Sequence, residues 1–181
     1  MNDFSFNRLH KYVHEYDFPY HDFLSSFKGR VLEEYGNKGD MYGPISNIGC
    51  EIKEINDFLI PKLNLLVESY YSLDKPWAPH GIMLYVQDNK DSNHTFHNHM
   101  GAPVLTGVFY LDPPQNGGEL EIMDLPFDSI KIKPKKDKVY IFPSWAYHRP
   151  LPQEDTTPRI SFNWGYISSK RPVHKLSGDI W

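Results

Sequence analysis

Three histidines carry the clearest chemical signal in this sequence. His97 and His99 are two residues apart, and His148 lies in a later segment that is rich in aromatic residues and bounded by proline. On a β-strand, residues i and i+2 point to the same face, so both imidazoles of the first pair could reach one metal ion. Imidazole nitrogens suit iron, copper, zinc or nickel, and three of them leave coordination positions open for a substrate. The pattern predicts a metal site, although a lone His-x-His pair also occurs on solvated strands.

The other histidines fit this set less well. His94 lies three residues before His97, and on a strand this odd offset places its side chain on the opposite face. We therefore leave His94 out of the predicted ligand set. The remaining five lie in segments without matching partners, which indicates ordinary surface or packed residues: His10, His14, His21, His80 and His174.

Polar and apolar residues alternate in the segment that begins at Arg159. Arg159, Ser161 and Asn163 face one way, and apolar side chains face the other: Ile160, Phe162, Trp164 and Tyr166. Such alternation usually means a half-buried strand whose polar face meets water. The alternative is a pocket wall, where the guanidinium matches a carboxylate bidentately and Ser161 adds a hydroxyl donor. We favour the pocket, because the eleven residues from His148 to Arg159 are enough for a turn and a return along a neighbouring strand.

Helical periodicity is concentrated in the first part of the chain. Apolar residues over 24–35 follow helical spacing, and so do those over 52–71. In the second of these helices Pro61 must either kink the helix or open its second half. We favour the second option, with Asn56 or Asp57 capping a short first piece.

Short apolar and β-branched runs separated by turns follow from about residue 80 to residue 167. Strands of this kind after a helical part predict a mainly β fold with N-terminal helices, in which a sandwich or barrel is covered by helices. The loop over 36–49 and the residues after Asp88 could cover a pocket. The tail over 168–181 has no assigned structure.

Composition limits the classes of function. The chain has 181 residues, 40% of them hydrophobic, and a formal net charge of −4, which fits one domain without a non-specific grip on nucleic acid or anionic lipid. Cys50 is the single cysteine, so an internal disulfide is excluded. We expect a soluble, intracellular (cytoplasmic) protein without a signal peptide or membrane span, and a homodimer is left open.

Together, these segments resemble the iron(II)- and 2-oxoglutarate-dependent dioxygenase superfamily. The resemblance is nearest to the small oxygenases of bacteria and bacteriophages that are related to prolyl hydroxylases. It covers roughly half the chain, from about Ile82 to Tyr166. Five motifs carry it in order: His97-Asn98-His99, Leu105–Leu111, Gly117–Leu120, Phe142–Trp145 with His148, and Arg159–Asn163.

The resemblance implies a double-stranded β-helix, a jelly-roll, cupin-like barrel backed by helices. The expected division of the single domain, 1–181, is mainly helical support over 1–79, a jelly-roll core over 80–167 and a tail over 168–181. Among the histidines, His97 and His148 are implied as iron ligands, with His99 as the third.

The resemblance also implies a site for 2-oxoglutarate. Arg159 is expected to bind its far carboxylate, and Ser161 occupies the second position of the family's Arg-x-Ser arrangement. Tyr85 lies where such enzymes often place a tyrosine that helps to hold the cosubstrate, and Asn163 continues the same polar face. No catalytic residue is expected beyond the metal ligands.

His99 departs from the pattern of most of the superfamily, which has aspartate or glutamate there. An imidazole in place of a carboxylate leaves the site one unit more positive, which favours an anionic cosubstrate and raises the iron potential. Asp124 or Glu119 could supply a carboxylate if His99 turns away.

The expected activity is that of a dioxygenase, and specifically a hydroxylase, using Fe(II), 2-oxoglutarate and O2, with ascorbate as a possible reductant. Decarboxylation of 2-oxoglutarate to succinate would be coupled to C–H oxidation of an unknown substrate, for which a peptidyl or amino-acid side chain is suggested. Two alternatives remain: a three-histidine cupin-type dioxygenase that does not use 2-oxoglutarate, and a non-catalytic jelly-roll binding module. Five aromatic residues could form the pocket walls, although most of them would be core residues in any β-sandwich: Phe96, Phe109, Trp145, Tyr147 and Trp164.

Overall fold

The computed structural model describes residues 4–35, 45–72, 79–87, 94–99, 104–124, 128–166 and 172–178. Its three helices are α1 (His21–Ser25), α2 (Lys28–Tyr35) and α3 (Lys53–Tyr70). The first strands are β1 (Phe6–His10), β2 (Val13–Asp17), β3 (Ile45–Gly49), β4 (Tyr71–Ser72), β5 (Pro79–Gln87) and β6 (Leu105–Asp112). They are followed by β7 (Leu120–Asp124), β8 (Asp128–Ile132), β9 (Lys138–Pro143), β10 (His148–Pro150), β11 (Arg159–Tyr166) and β12 (Val173–His174).

Two antiparallel sheets dominate the described part of the chain. The larger sheet has seven strands in the order β1-β2-β9-β6-β11-β5-β3, and the smaller has three in the order β10-β7-β8. A two-stranded pair joins β12 to β4. The prediction of a mainly β fold with N-terminal helices is confirmed.

The central strands of the larger sheet divide their side chains between two faces. On β11, Phe162 and Trp164 are buried in the hydrophobic core, and the intervening Ser161 and Asn163 line a cavity. Gly107 on the neighbouring β6 lies so close to the Trp164 ring that an added Cβ would meet it at 2.2 Å. A glycine is therefore required where these two strands pack.

Helix α3 runs without interruption through Pro61, so the predicted break at this residue is wrong. Asn56 does not cap a short first piece, because its side-chain nitrogen donates to Cys50 O at 2.6 Å, before the helix starts. A proline inside a helix costs about 3 kcal/mol. Four side chains on both sides of it are fully buried, and each contributes about 1.5–3 kcal/mol, which offsets that cost: Leu59, Leu63, Leu66 and Val67.

The N-terminal part also supplies strands, which the prediction of mainly helical support over 1–79 missed. β1 and β2 form a hairpin that joins the larger sheet beside β9, and β3 pairs with β5 at its other edge. The first four residues of β2 are all buried, so neither a strand nor a helical period is visible in its sequence. The domain division itself remains a prediction.

Part of the C-terminal tail is held by a buried polar contact. His174 is fully buried, and its Nε2 lies 2.9 Å from Tyr16 Oη, which in turn donates to Tyr71 Oη at 2.8 Å. His14, also fully buried, lies 2.9 Å from the same Tyr71 hydroxyl. Both histidines are packed residues, as expected, whereas the side chain of His80 and the loops at 36–44 and 88–93 lie outside the described residues.

In the described ranges, no helix combines the length and apolar character needed to cross a membrane.

Candidate functional site

A cavity of about 580 Å³ lies between the two sheets. Strands β5, β6 and β11 of the larger sheet send alternate side chains into it: Met83 and Tyr85; Thr106, Val108 and Tyr110; Arg159, Ser161 and Asn163. Phe142 of β9 lines it from the same sheet, and Leu120, His148 and Pro150 belong to the smaller one. The segment 94–99 completes the described lining with His94, Thr95, His97 and His99.

The three predicted histidines converge on one point of this cavity. One ring nitrogen from each of His97, His99 and His148 lies within 4.8 Å of the other two. The ring centroids of His97 and His148 are 4.4 Å apart, and His99 lies 5.4 and 5.1 Å from them. Three nitrogens at this spacing could hold one metal ion.

Backbone hydrogen bonds position these histidines. His97 and His148 exchange both N–H···O bonds, at 3.0 and 2.9 Å, and His99 N donates to Ser144 O at 2.8 Å. His97 forms an isolated bridge in the described segment 94–99, which otherwise has no strand pairing, so the predicted histidine strand is wrong. The rule that placed His94 on the opposite face therefore does not apply, and His94 lines the same cavity.

His148 has the tautomer that a metal ligand needs. Its Nδ1 lies 2.9 Å from the carbonyl oxygen of Ala146, and since a carbonyl can only accept, Nδ1 carries the proton and Nε2 has a free lone pair. Burial lowers the pKa of His148 to about 3, with a further contribution from His97. Desolvation and His97 also lower the pKa of His99. These imidazoles are therefore neutral near pH 7, the form that binds metals.

Arg159 is a buried cation with an unused donor. It is 1% exposed, and its Nη1 donates to Gly118 O at 2.9 Å and to Leu151 O at 3.3 Å. Its Nη2 is buried and has no hydrogen-bond partner in the described structure. Burial lowers the pKa of Arg159, but an arginine stays charged in proteins. A buried charge with a free N–H calls for an anion in the cavity, and a carboxylate fits it.

Gly118 shapes this arginine site. It has a φ of +67°, and an added Cβ would lie 2.3 Å from Pro114 Cγ and 3.2 Å from Arg159 Nη1. Only a glycine allows the chain to turn here and present its carbonyl oxygen to the guanidinium.

The other predicted cosubstrate residues surround Arg159. Ser161 is buried and lies opposite Tyr85 in the β11–β5 register, and the Tyr85 ring centroid is 5.7 Å from the Arg159 guanidinium carbon. Asn163 lies two residues further along the same cavity face.

Tyr110 was missed by the sequence reasoning. It is buried beside Arg159 and lines the cavity, and burial raises its pKa to about 12, so it is a neutral donor. Its strand, β6, is apolar on both faces, so the sequence does not show which face lines the cavity. The one available signal was the two-residue spacing of Thr106, Val108 and Tyr110, which places these three side chains on the same face.

The predicted aromatic walls are wrong. Phe109 and Trp164 are buried in the core, and Trp145 and Tyr147 are exposed. Phe96 packs under the Arg149 guanidinium, whose carbon lies 4.3 Å from the ring centroid. The aromatic lining consists instead of Tyr85, Tyr110 and Phe142.

No carboxylate belongs to the histidine cluster in the part of the chain that the structure describes. Asp124 is engaged elsewhere, since it accepts a hydrogen bond from Tyr12 and lies 3.0 Å from His10 Nε2. Neither Asp124 nor Glu119 lines the cavity.

Comparison with known proteins agrees with this geometry. Residues 81–166, which carry all three histidines and Arg159, match the sequence profile of the 2OG-Fe(II) oxygenase superfamily. The match covers 86 of the 181 residues, and over this part the chain is similar to the superfamily. The superfamily implies Fe(II) and 2-oxoglutarate. No curated protein sequence matches the chain.

Solved structures confirm the predicted double-stranded β-helix of this chain. A Pseudomonas putida prolyl-4-hydroxylase is similar with a TM-score of 0.64 and 13% identity, over 86% of this chain and 92% of that one. A viral collagen prolyl hydroxylase from Paramecium Bursaria Chlorella virus-1 has a TM-score of 0.63 and 18% identity, over 94% and 99%. A Trichoplax adhaerens prolyl hydroxylase in complex with a hypoxia inducible factor peptide fragment has a TM-score of 0.62 and 15% identity, over 93% and 84%.

Gly118→Ala should distort the arginine site as well as the turn. Gly178→Ala is the matched control, since Gly178 has a φ of +71° but nothing within 4 Å of an added Cβ. We expect the control to lose about 1 kcal/mol of unfolding free energy from backbone strain, and Gly118→Ala about 2–4 kcal/mol from strain plus overpacking. Urea titration measures both, and equal losses would contradict the close approach to Pro114 and Arg159.

Proposed function

We propose that this protein is an Fe(II)- and 2-oxoglutarate-dependent hydroxylase. The observation that carries the proposal is the composition of one cavity, which contains three converging histidines and a buried arginine with an unused N–H. The histidines suit a divalent metal and the arginine suits a carboxylate, so together they fit a dicarboxylate that is bound to the metal through its other end. The family's cosubstrate has this chemistry.

His97, His99 and His148 would hold the iron. Bound Fe(II) supplies the chemistry by which O2 converts 2-oxoglutarate to succinate and CO2 and oxidises a C–H bond of the substrate. The protein's part is orientation: the paired backbone bonds between His97 and His148, together with the Nδ1–H bond to Ala146, fix two of the three rings before a metal arrives.

Arg159 would bind the far carboxylate of 2-oxoglutarate through its free Nη2. The hydroxyl groups of Ser161, Tyr85 and Tyr110 line the same end and can donate to that group. Apolar side chains such as Met83, Val108 and Leu120 limit the water in the cavity, and electrostatic interactions strengthen where water is excluded. The amide of Asn163, on the same face, is proposed as a further polar contact.

A peptidyl or amino-acid side chain is the proposed substrate. Three of the similar folds are named as prolyl hydroxylases, and one of them is described in complex with a peptide fragment. Their identity to this chain is below 20%, so this support concerns the architecture of the cavity and its mouth.

The activity is tested by mixing the protein anaerobically with Fe(II), ascorbate and 2-oxoglutarate. We expect a visible charge-transfer band, then O2-dependent succinate formation that increases when a suitable amino acid or peptide is added. His148→Ala should show neither, because the buried ligand is lost, whereas His10→Ala, outside the cavity, should behave as the wild type. Absence of both the band and succinate in the wild-type protein would refute the proposal.

Arg159→Lys should weaken 2-oxoglutarate binding to the Mn(II)-loaded protein by about 10–150-fold. Lysine keeps the charge but lacks the planar fork, and losing a hydrogen bond to a charged group costs about 1.5–3 kcal/mol. Isothermal titration calorimetry measures the dissociation constant, and Arg30→Lys on the surface is the control. Unchanged binding would favour a cupin-type reaction that does not use 2-oxoglutarate.

His99→Asp tests whether His99 completes the metal site. A carboxylate lowers the charge of the site by one unit, so Mn(II) alone should bind more tightly and 2-oxoglutarate should bind the loaded protein more weakly. Charges about 5 Å apart at an effective dielectric constant near 20 interact by about 3 kcal/mol, so changes of about 5–150-fold are expected in each constant. If neither constant changes, His99 is not a ligand.

A further inference from the structure

We infer that His94 is a positioning residue that fixes the hydroxyl group of Tyr85 at the cosubstrate end of the cavity. The inference rests on the proposed use of 2-oxoglutarate. His94 Nε2 lies 2.5 Å from Tyr85 Oη, and the two rings meet edge-on with centroids 5.4 Å apart. Both side chains line the cavity.

The ring of Tyr85 is already held on several sides. It is 7% exposed, it lies on β5 opposite Ser161 of β11, and the Arg159 guanidinium lies 5.7 Å from its centroid. A phenol ring packed in this way cannot swing away, but its hydroxyl proton can still rotate. His94 contacts the oxygen itself, so the direction of their hydrogen bond bears on where that proton points.

The direction of this hydrogen bond determines what the cavity offers to a ligand. When Nε2–H donates to Tyr85 Oη, the phenol proton is directed to another acceptor, and a carboxylate beside Arg159 is such an acceptor. When Tyr85 instead donates to Nε2, its oxygen presents lone pairs that repel a carboxylate. A dianion favours the arrangement in which His94 donates to Tyr85 and Tyr85 donates to the carboxylate. These two successive hydrogen bonds polarise each other, and the second ends on a charged acceptor.

His94 also connects the two ends of the site. It belongs to the same short segment as His97, and their ring centroids are 6.5 Å apart. The bond to Tyr85 thus joins β5, which carries the cosubstrate end, to the segment that carries a proposed metal ligand. His94 itself lies outside the group of three converging nitrogens.

The test is calorimetric titration of 2-oxoglutarate into the Mn(II)-loaded protein, which does not turn over. His94→Phe keeps an aromatic ring but loses the donor, and Tyr85→Phe loses the hydroxyl. We expect each to raise the dissociation constant by about 10-fold, and the double variant to lose no more than either one, because either change breaks the same relay. His94→Gln, whose amide can donate, should recover most of the affinity.

Two controls separate positioning from other roles. His10→Phe removes a histidine that bonds Asp124 outside the cavity, and it should bind 2-oxoglutarate within about twofold of the wild type. Mn(II) affinity and the melting temperature should also be nearly unchanged in His94→Phe, because His94 is not a ligand and another aromatic ring fills its place.

Three results would overturn the inference: wild-type affinity in His94→Phe, losses that multiply in the double variant, or a large loss of Mn(II) affinity in His94→Phe. If these occur while the wild-type protein binds 2-oxoglutarate, the inference alone fails. If the wild-type protein does not bind 2-oxoglutarate, the proposed function fails and the inference falls with it.

Discussion

The exchange of two backbone hydrogen bonds between His97 and His148 is the contact on which the proposed metal centre depends. Segment 94–99 has no regular strand pairing of its own, and this bridge, with the bond from His99 N to Ser144 O, aligns it with β10. Rings fixed in this way converge before a metal binds, so little conformational entropy is lost on binding. The seven-stranded sheet supplies the frame, and this bridge brings the ligands into it.

Arg159 imposes the second constraint, because its charge is nearly excluded from water. Moving a guanidinium into a protein interior is costly unless its donors are satisfied. Two carbonyl oxygens accept from Nη1, and the Nη2 donor is left without a partner among the described residues. Strand β11 lies between β6 and β5, so it cannot move without breaking its pairing on both edges. This pairing holds Arg159 in the interior despite the free-energy cost of burying its charge.

The sequence predicted the parts of the site that depend on local period. Arg159, Ser161 and Asn163 face the cavity because alternation along a strand is a property of the backbone alone. The same rule gave a wrong result for His94, because it was applied to a segment that is not a strand. Tertiary packing determines the features that the sequence did not predict. The continuity of α3 through Pro61 and the buried strand β2 both depend on neighbours that are distant in sequence.

The charge pattern of the cavity links the two constraints. Four imidazoles and one guanidinium line it, and none of its described lining residues is acidic. With a divalent metal bound, the site would be strongly positive until a dianion enters. Metal and dianion should therefore stabilise each other, and by linkage each raises the other's affinity by the same factor. A carboxylate in place of His99 would neutralise part of this charge and weaken that coupling. The histidine at position 99 would thus make the proposed metal centre more dependent on its anionic partner than a site with a carboxylate ligand would be.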